Sequence, residues 1–527
     1  MIILTNSLVA ISVILYQVCI FSISSSFNND SSATLLPSAP STLDTVVATS
    51  LENNGNRYGT MIDNIETAAS VEALQADRPG YGTTSTTGSC MNLVNAMMGS
   101  GIMGLPLALR LCGLWMGLLC SVVIAILTGI AMQLLVLAGI RCGQYTMADL
   151  ARVSLLGIWG SHLVNFLLVF HTAGTAVSYY ILLGDMLPEL FDNYNITWLA
   201  DRRVAVVAFG LTCTLPLCLP RSIAPLVKWS TLNVMLLPIV LTCVFIRMPV
   251  YATTSSSIFE WTWPSSINNL FQGLAILGLS FGCSQNVFGV YLSQRDQQPS
   301  QFLLANTSSV LIGYIINLTF AIMGFLCFGD NVKANVLLNF PRDDPIINVV
   351  RLLLGIFMIF TIPMSIYPCR ESLQKLLGYN VNGRIPTNTE HYVTTIVIFA
   401  TVLLLGATIT ELGKVFAVIG GFSTTALGLL LPGAAYTALF LPELIMRDKI
   451  KKEDDNNALI EELPTMHAGE THHHHRYQKQ QSKNDNLLDH DTLIKYQSSG
   501  SWFLILISLI LIIISIPIMW YAIRDAL

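Results

Sequence analysis

Asn92-Leu-Val-Asn95-Ala-Met-Met-Gly99-Ser100-Gly101-Ile-Met-Gly104-Leu-Pro106 decides how this chain is read. The stretch is apolar enough to lie in a bilayer, yet it carries glycines, asparagines and a proline that a plain spanning helix avoids. Glycine gives up helix propensity and proline removes a donor, so the run reads as a transmembrane helix that unwinds partway. Unwinding frees backbone N–H and C=O groups, which cost several kcal/mol in hydrocarbon unless something satisfies them. Such a break persists only where it lines a protein cavity or binds a ligand, and that makes it a candidate site.

The rest of the chain supports a membrane setting. Of its 527 residues 53% are hydrophobic and only 11% charged, which is outside the range of soluble domains. The net charge of -5 is small and implies no nucleic acid partner. Of the eleven cysteines, Cys112, Cys120, Cys213, Cys218, Cys243, Cys283, Cys327 and Cys369 sit in or beside apolar runs. They read as small core residues, and no Cys/His spacing suggests zinc. Residues 1–21 are apolar but lack a basic leader, so an extra helix or a misplaced start is preferred to a cleaved signal. Residues 22–88 are rich in Ser, Thr, Asn and Gly and are expected to form a disordered cytoplasmic tail.

Eleven apolar runs are long enough to cross about 30 Å of hydrocarbon: 90–110, 115–139, 161–187, 202–220, 229–248, 268–290, 303–328, 346–369, 392–410, 414–440 and 502–523. A cytoplasmic N-terminal tail leaves two-thirds of the 27 basic residues inside, the direction of the positive-inside rule. All eight tryptophans fall at predicted span ends, where an amphipathic ring suits the interface. Asn195-Ile-Thr197 is then the sequon on an outer loop and the glycosylation candidate. Thr146-Met-Ala-Asp149-Leu-Ala-Arg152 predicts a short amphipathic helix between spans two and three. The ten-helix core covers 89–441. A charged cytoplasmic loop, expected to be disordered, follows over 442–500, and the eleventh helix lies in 501–527. The four consecutive histidines from His472 read as part of that solvated loop, not as a metal site.

A second interruption lies in the sixth span, Gly278-Leu-Ser280-Phe281-Gly282-Cys283-Ser284-Gln285-Asn286. With five spans per half, the two interruptions fall at corresponding positions, and the odd number of crossings inverts one half against the other. This is an all-α polytopic fold with a five-plus-five inverted repeat, broken helices 1 and 6, and a midplane site. Half-helix N-termini there suit a carboxylate, and unwound carbonyls suit a cation or an ammonium. Close helix packing through glycine is the competing reading of either stretch alone.

The eighth span holds Thr361 and Ser365, four apart on one helix face. Their hydroxyls either offer two neutral oxygens to a small cation or bond back to a carbonyl one turn earlier. In the third span His171 is a candidate for proton coupling, against the alternative of a neutral histidine bonded to a neighbouring helix.

These motifs, with Phe328-Gly-Asp330-Asn-Val-Lys-Ala-Asn335, Thr361-Ile-Pro363, Pro368-Cys-Arg370 and Ile409-Thr-Glu411-Leu-Gly-Lys414, resemble the amino acid/auxin permease family, and within it the sodium-coupled neutral amino acid transporter branch. The resemblance spans about residues 88–441. It implies the leucine-transporter-like fold and amino acid transport by alternating access. It also implies sodium contacts at Asn95 and Thr361, substrate main-chain contacts at Gly99, Ser100 and Gly101, and a side-chain wall near Phe281 and Gly282. Cys283-Ser284 departs from the larger polar or aromatic residue of many relatives and leaves selectivity open. Other branches couple to protons and sit in vacuolar or lysosomal membranes.

The expectation is a secondary transporter of small neutral amino acids coupled to sodium. It needs no cofactor beyond a coupling ion, Na+ or else H+, and is compatible with a monomer in the plasma membrane or a vacuolar/lysosomal membrane. A proton-coupled vacuolar/lysosomal exporter and a non-transporting amino acid sensor are the alternatives. An enzyme is not expected, because the spans hold no HExxH, no GxGD and no paired carboxylates.

Overall fold

The computed structural model describes residues 82–193, 199–221, 240, 242–251, 263–380, 384–461 and 501–526. The fold is all-helical and polytopic. Among the described residues eight helices are long and apolar enough to cross a membrane, and nine when one bent pair counts as a single span. Two of the eleven expected spans account for the difference. The fourth forms a continuous but short helical run over 202–218, and most of the fifth lies outside the described residues.

The first segment is broken where its sequence predicts. Helix Thr86–Met97 stops, Gly99 is extended at φ -83 and ψ -159, a buried 3-10 turn covers Ser100–Gly104, and helix Leu105–Cys112 starts with Pro106 in its first turn. The two halves meet at 50°. Proline fits there because its missing donor is one that a first turn leaves unpaired anyway. The sixth segment breaks without a large bend. Helix Ile267–Phe281 ends at Gly282, with ψ 103, and a 3-10 turn over Ser284–Asn286 leads into helix Val287–Ser293. The freed Ser280 carbonyl accepts from Asn317 Nδ2 at 3.4 Å, as irregular backbone at membrane depth requires. The two interruptions touch: a Cβ on Gly101 would lie 2.8 Å from Ser280 Oγ and 3.1 Å from its Cα.

Trp115, Trp159, Trp263, Trp502 and Trp520 are exposed and lie within six residues of a helix end, whereas Trp198, Trp229 and Trp261 lie outside the described residues. The cysteines are free among the described residues, and Cys112, Cys218, Cys283, Cys327 and Cys369 are buried. The amphipathic helix after the second segment forms over Met147–Ser154, with Thr146 Oγ1 accepting from the Asp149 N–H at 3.1 Å.

The chain divides into two packing units. The smaller includes the described parts of Met1–Ser89, Gly289–Phe302 and Leu444–Ser501. In it Thr84 pairs with Gln294: the Thr84 N–H donates to Ser293 O and the Arg295 N–H to Thr84 O, both at 2.8 Å. The stretch 82–88, expected as unfolded tail, is therefore backbone-paired and then helical from Thr86. The helix begun at Leu431 runs on to Glu461, so the loop expected from 442 opens as helix. Glu, Lys, Leu, Ala, Met and Arg make up about half of that stretch and favour helix.

The larger unit, Cys90–Phe288, Leu303–Glu443 and Trp502–Leu527, holds the remaining structure. One end is closed by the connection 329–344, which is buried at Val332, Asn335, Val336, Leu337 and Phe340. Arg351, 1% exposed, donates to the carbonyls of Leu337, Phe340 and Pro341 and pairs with Glu189 at 2.6 Å. Arg342 reaches the same Glu189 at 3.8 Å. Asn335 Nδ2 donates to Asp185 at 3.3 Å, and Arg202 faces that carboxylate at 3.6 Å. Asp344 caps the eighth helix through the N–H groups of Ile346 and Ile347 and takes hydrogen bonds from Arg247 and from Tyr251.

At the other end the short fourth segment finishes in three carbonyls held by side chains. Arg370 donates to Cys218 O at 3.0 Å and Pro220 O at 3.3 Å, Tyr367 Oη to Pro220 O at 2.7 Å, and His391 Nε2 to Leu219 O at 3.0 Å.

Candidate functional site

A cavity of about 240 Å³ lies in the larger unit where the two interruptions meet. The first segment contributes Asn95, Gly99, Ser100 and Gly101, and the sixth contributes Leu279, Gly282, Gln285 and Asn286. The third segment adds His171, Thr172, Thr175 and Tyr179, and the eighth adds Phe357, Thr361, Met364, Ser365 and Pro368. Asp, Glu, Lys and Arg are absent from this lining. Asn286 and Pro368 are exposed, and both lie toward the end of the bundle away from 329–344.

Asn95 and Thr361 line the same cavity, as do Gly99, Ser100, Gly101 and Gly282. Thr361 and Ser365 share a wall, as their spacing requires. Thr361 Oγ1 also donates to Phe357 O at 2.8 Å. Donation spends the proton and not the lone pairs, so the two readings of this threonine are compatible.

Phe281 is the exception. It is 2% exposed, absent from the lining, and stacked against Tyr314 with ring centroids 6.1 Å apart. Its place is the last turn of an intact helix, where it faces the seventh segment; the chain turns into the cavity only one residue later. Asn195 lies outside the described residues.

Glycine at 282 follows from close approach. A Cβ there would stand 2.3 Å from Thr424 Cγ2 and 3.0 Å from Gly278 O. The third segment closes on the first break through the buried Tyr179, whose hydroxyl would lie 3.4 Å from a Cβ on Gly99. His171 is 3% exposed, and its Nδ1 stands 3.3 Å from both Ser423 Oγ and Thr424 Oγ1.

Those two hydroxyls belong to a feature the sequence reading passed over. The tenth segment is wound as π-helix over Ile419–Thr424 and again over Ala426–Leu430. π turns inside α-helices mark functional places. The available signal was Gly420-Gly421 followed by Ser423-Thr424-Thr425, a small-residue interruption like those of segments one and six. Among the described residues no group of three or more His, Cys, Asp or Glu is placed to hold a metal ion.

Known proteins are similar to this chain. The chain is 27% identical over 383 residues to the sodium-coupled neutral amino acid transporter 7 of Xenopus laevis, covering 69% of this chain and 83% of that one. It is 27% identical over 372 residues to the vacuolar amino acid transporter 2 of Saccharomyces cerevisiae, covering 67% and 75%. Among solved structures, a manganese transporter of Eremococcus coleocola aligns with a TM-score of 0.45 at 14% identity, over 84% of this chain and 94% of that one. Residues 82–456 match the family described as transmembrane amino acid transporter protein, and the chain belongs to that family.

Proposed function

We propose that this multi-pass membrane protein carries small neutral amino acids by alternating access, coupled to sodium, with its N-terminal tail in the cytoplasm. One observation carries the reading: both helix interruptions, Asn95 and Thr361 open on a single cavity whose lining has no charged side chain. A zwitterion brings its own two charges. Its carboxylate finds N–H groups and the positive end of helix Leu105–Cys112 beside Gly99–Gly101, and its ammonium finds freed carbonyls. A sodium ion held by the neutral oxygens of Asn95, Thr361 and Ser365 supplies the positive charge that this wall lacks. Occupation by both then favours the closed arrangement over either open one, because each ligand lowers the desolvation cost of the other.

A second reading is favoured by His171 on the same wall and by the vacuolar relative: a carrier of this fold driven by protons, in a vacuolar or lysosomal membrane. A receptor that binds without flux is the third. Radiolabelled alanine uptake into proteoliposomes, with sodium and pH gradients imposed separately, separates them. Uptake that follows the sodium gradient and is lost in Thr361→Ala supports sodium coupling. Uptake that follows pH and ignores sodium overturns it in favour of protons, and binding without uptake overturns transport altogether.

A further inference from the structure

We infer that His171 sets side-chain selectivity, presenting its Nε2 as a hydrogen-bond acceptor to neutral amino acids whose side chain carries a donor. The inference rests on the cavity being the amino acid site. It starts from the π-wound tenth segment. In that winding Ser423 Oγ donates to Ile419 O at 2.9 Å and Thr424 Oγ1 donates to the same carbonyl at 3.2 Å, so residues four and five positions on converge on one acceptor. A hydroxyl has a single proton. With both protons spent on Ile419, the two oxygens face His171 Nδ1 as acceptors, each at 3.3 Å. Nδ1 therefore bears the ring proton. An imidazolium here would be a buried charge in a lining with no carboxylate, so the ring is neutral and its other nitrogen is an acceptor.

Position decides what that acceptor meets. His171 lies about two helical turns before Tyr179 on one helix, and both line the cavity, at different depths. Tyr179 stands against the break at Gly99, where the proposed site takes the main-chain groups of its substrate. His171 is thus turned to the far part of a bound molecule, its side chain. Thr424 secures both sides of this pocket at once: its hydroxyl orients the imidazole, and its methyl closes on Gly282. A buried acceptor left unpaired by an apolar side chain penalises that substrate, so discrimination comes from rejection as much as from attraction.

The test compares glutamine with methionine, which are similar in length but differ in a side-chain donor, as a ratio of kcat/KM in proteoliposomes of the full chain. The wild-type ratio is expected to favour glutamine on the order of tenfold, the worth of one buried hydrogen bond. His171→Asn keeps a donor at the δ position for Ser423 and Thr424 but has nothing at ε, and its ratio falls to near one. His171→Gln carries an amide oxygen out to the ε position and restores the preference. The ratio is read within each variant, so general loss of flux cancels; where flux is too low, the same ratio is taken from dissociation constants of the purified protein. A wild-type ratio near one, an unchanged ratio in His171→Asn, or no difference between the Asn and Gln variants overturns the inference while leaving transport intact. Absence of wild-type uptake of any neutral amino acid removes the transport reading, and this inference with it.

Discussion

The cavity and the closed end around 329–344 are built from opposite materials. The cavity wall is made of amides, hydroxyls, an imidazole and bare backbone, with no charged side chain. The closed end concentrates ion pairs: Arg351 and Arg342 on Glu189, Arg202 on Asp185, Arg247 on Asp344. A buried ion pair is costly to form and costlier to break, so it suits a place whose geometry is to be kept. Neutral groups suit a place that must take up and release a zwitterion, since a fixed charge there would hold one end of it too tightly or repel the other.

Four changes sharpen or break this contrast. The largest is expected from Arg351→Met, which strands Glu189 without its closest partner. Loss of one member of a buried pair costs about 3–5 kcal/mol, read as a lower unfolding midpoint of the detergent-solubilised protein. An unchanged midpoint would show that the closed end is not held by its charges. Next is Gly282→Val, whose Cβ meets both Thr424 and the Gly278 carbonyl. Overpacking at the cavity wall should cost about 1–3 kcal/mol of stability, less than Arg351→Met, and cut amino acid uptake roughly tenfold. Third, Thr361→Ala removes one neutral oxygen; sodium-dependent uptake should fall about tenfold, while closed-end stability stays as it was.

The smallest effect is a pH dependence at Asp344. Burial works to raise the Asp344 pKa, but hydrogen bonds from Tyr251, Arg247 and the Ile347 N–H prevail and hold it below the usual carboxylate value. A depressed folded pKa stabilises above the unfolded value of about 3.9, and that stability disappears as pH falls through the folded value. The stability gap between wild type and Asp344→Asn should therefore be full near neutrality and shrink below about pH 4. A gap independent of pH in that range would assign the effect to shape and not to charge.

The two interruptions were legible because Gly, Asn and Pro stand in runs where every other choice favours a spanning helix. Phe281 is expected at the wall only through the resemblance; its ring packs on Tyr314 instead, and nothing local in the sequence distinguishes the two neighbours. The π winding at Ile419–Thr424 stayed hidden for a related reason. Gly420 packs closely: a Cβ on it would fall 2.0 Å from Ala275 O. The same close approach of the sixth segment accompanies the altered winding, and only tertiary structure reveals it. The pairs of the closed end join residues far apart in sequence, such as Glu189 with Arg351, and no local pattern announces them.

The three carbonyls of Cys218, Leu219 and Pro220 bear on how this protein fits its bilayer. The fourth segment, 202–218, measures only about 25 Å at 1.5 Å per residue, against a hydrocarbon thickness of about 30 Å. A rod that short would ordinarily thin the lipid around it or leave polar backbone stranded in oil. Here a guanidinium, a phenol and an imidazole from its neighbours take the carbonyls that a further turn would have paired, so protein side chains satisfy the backbone where the helix stops short.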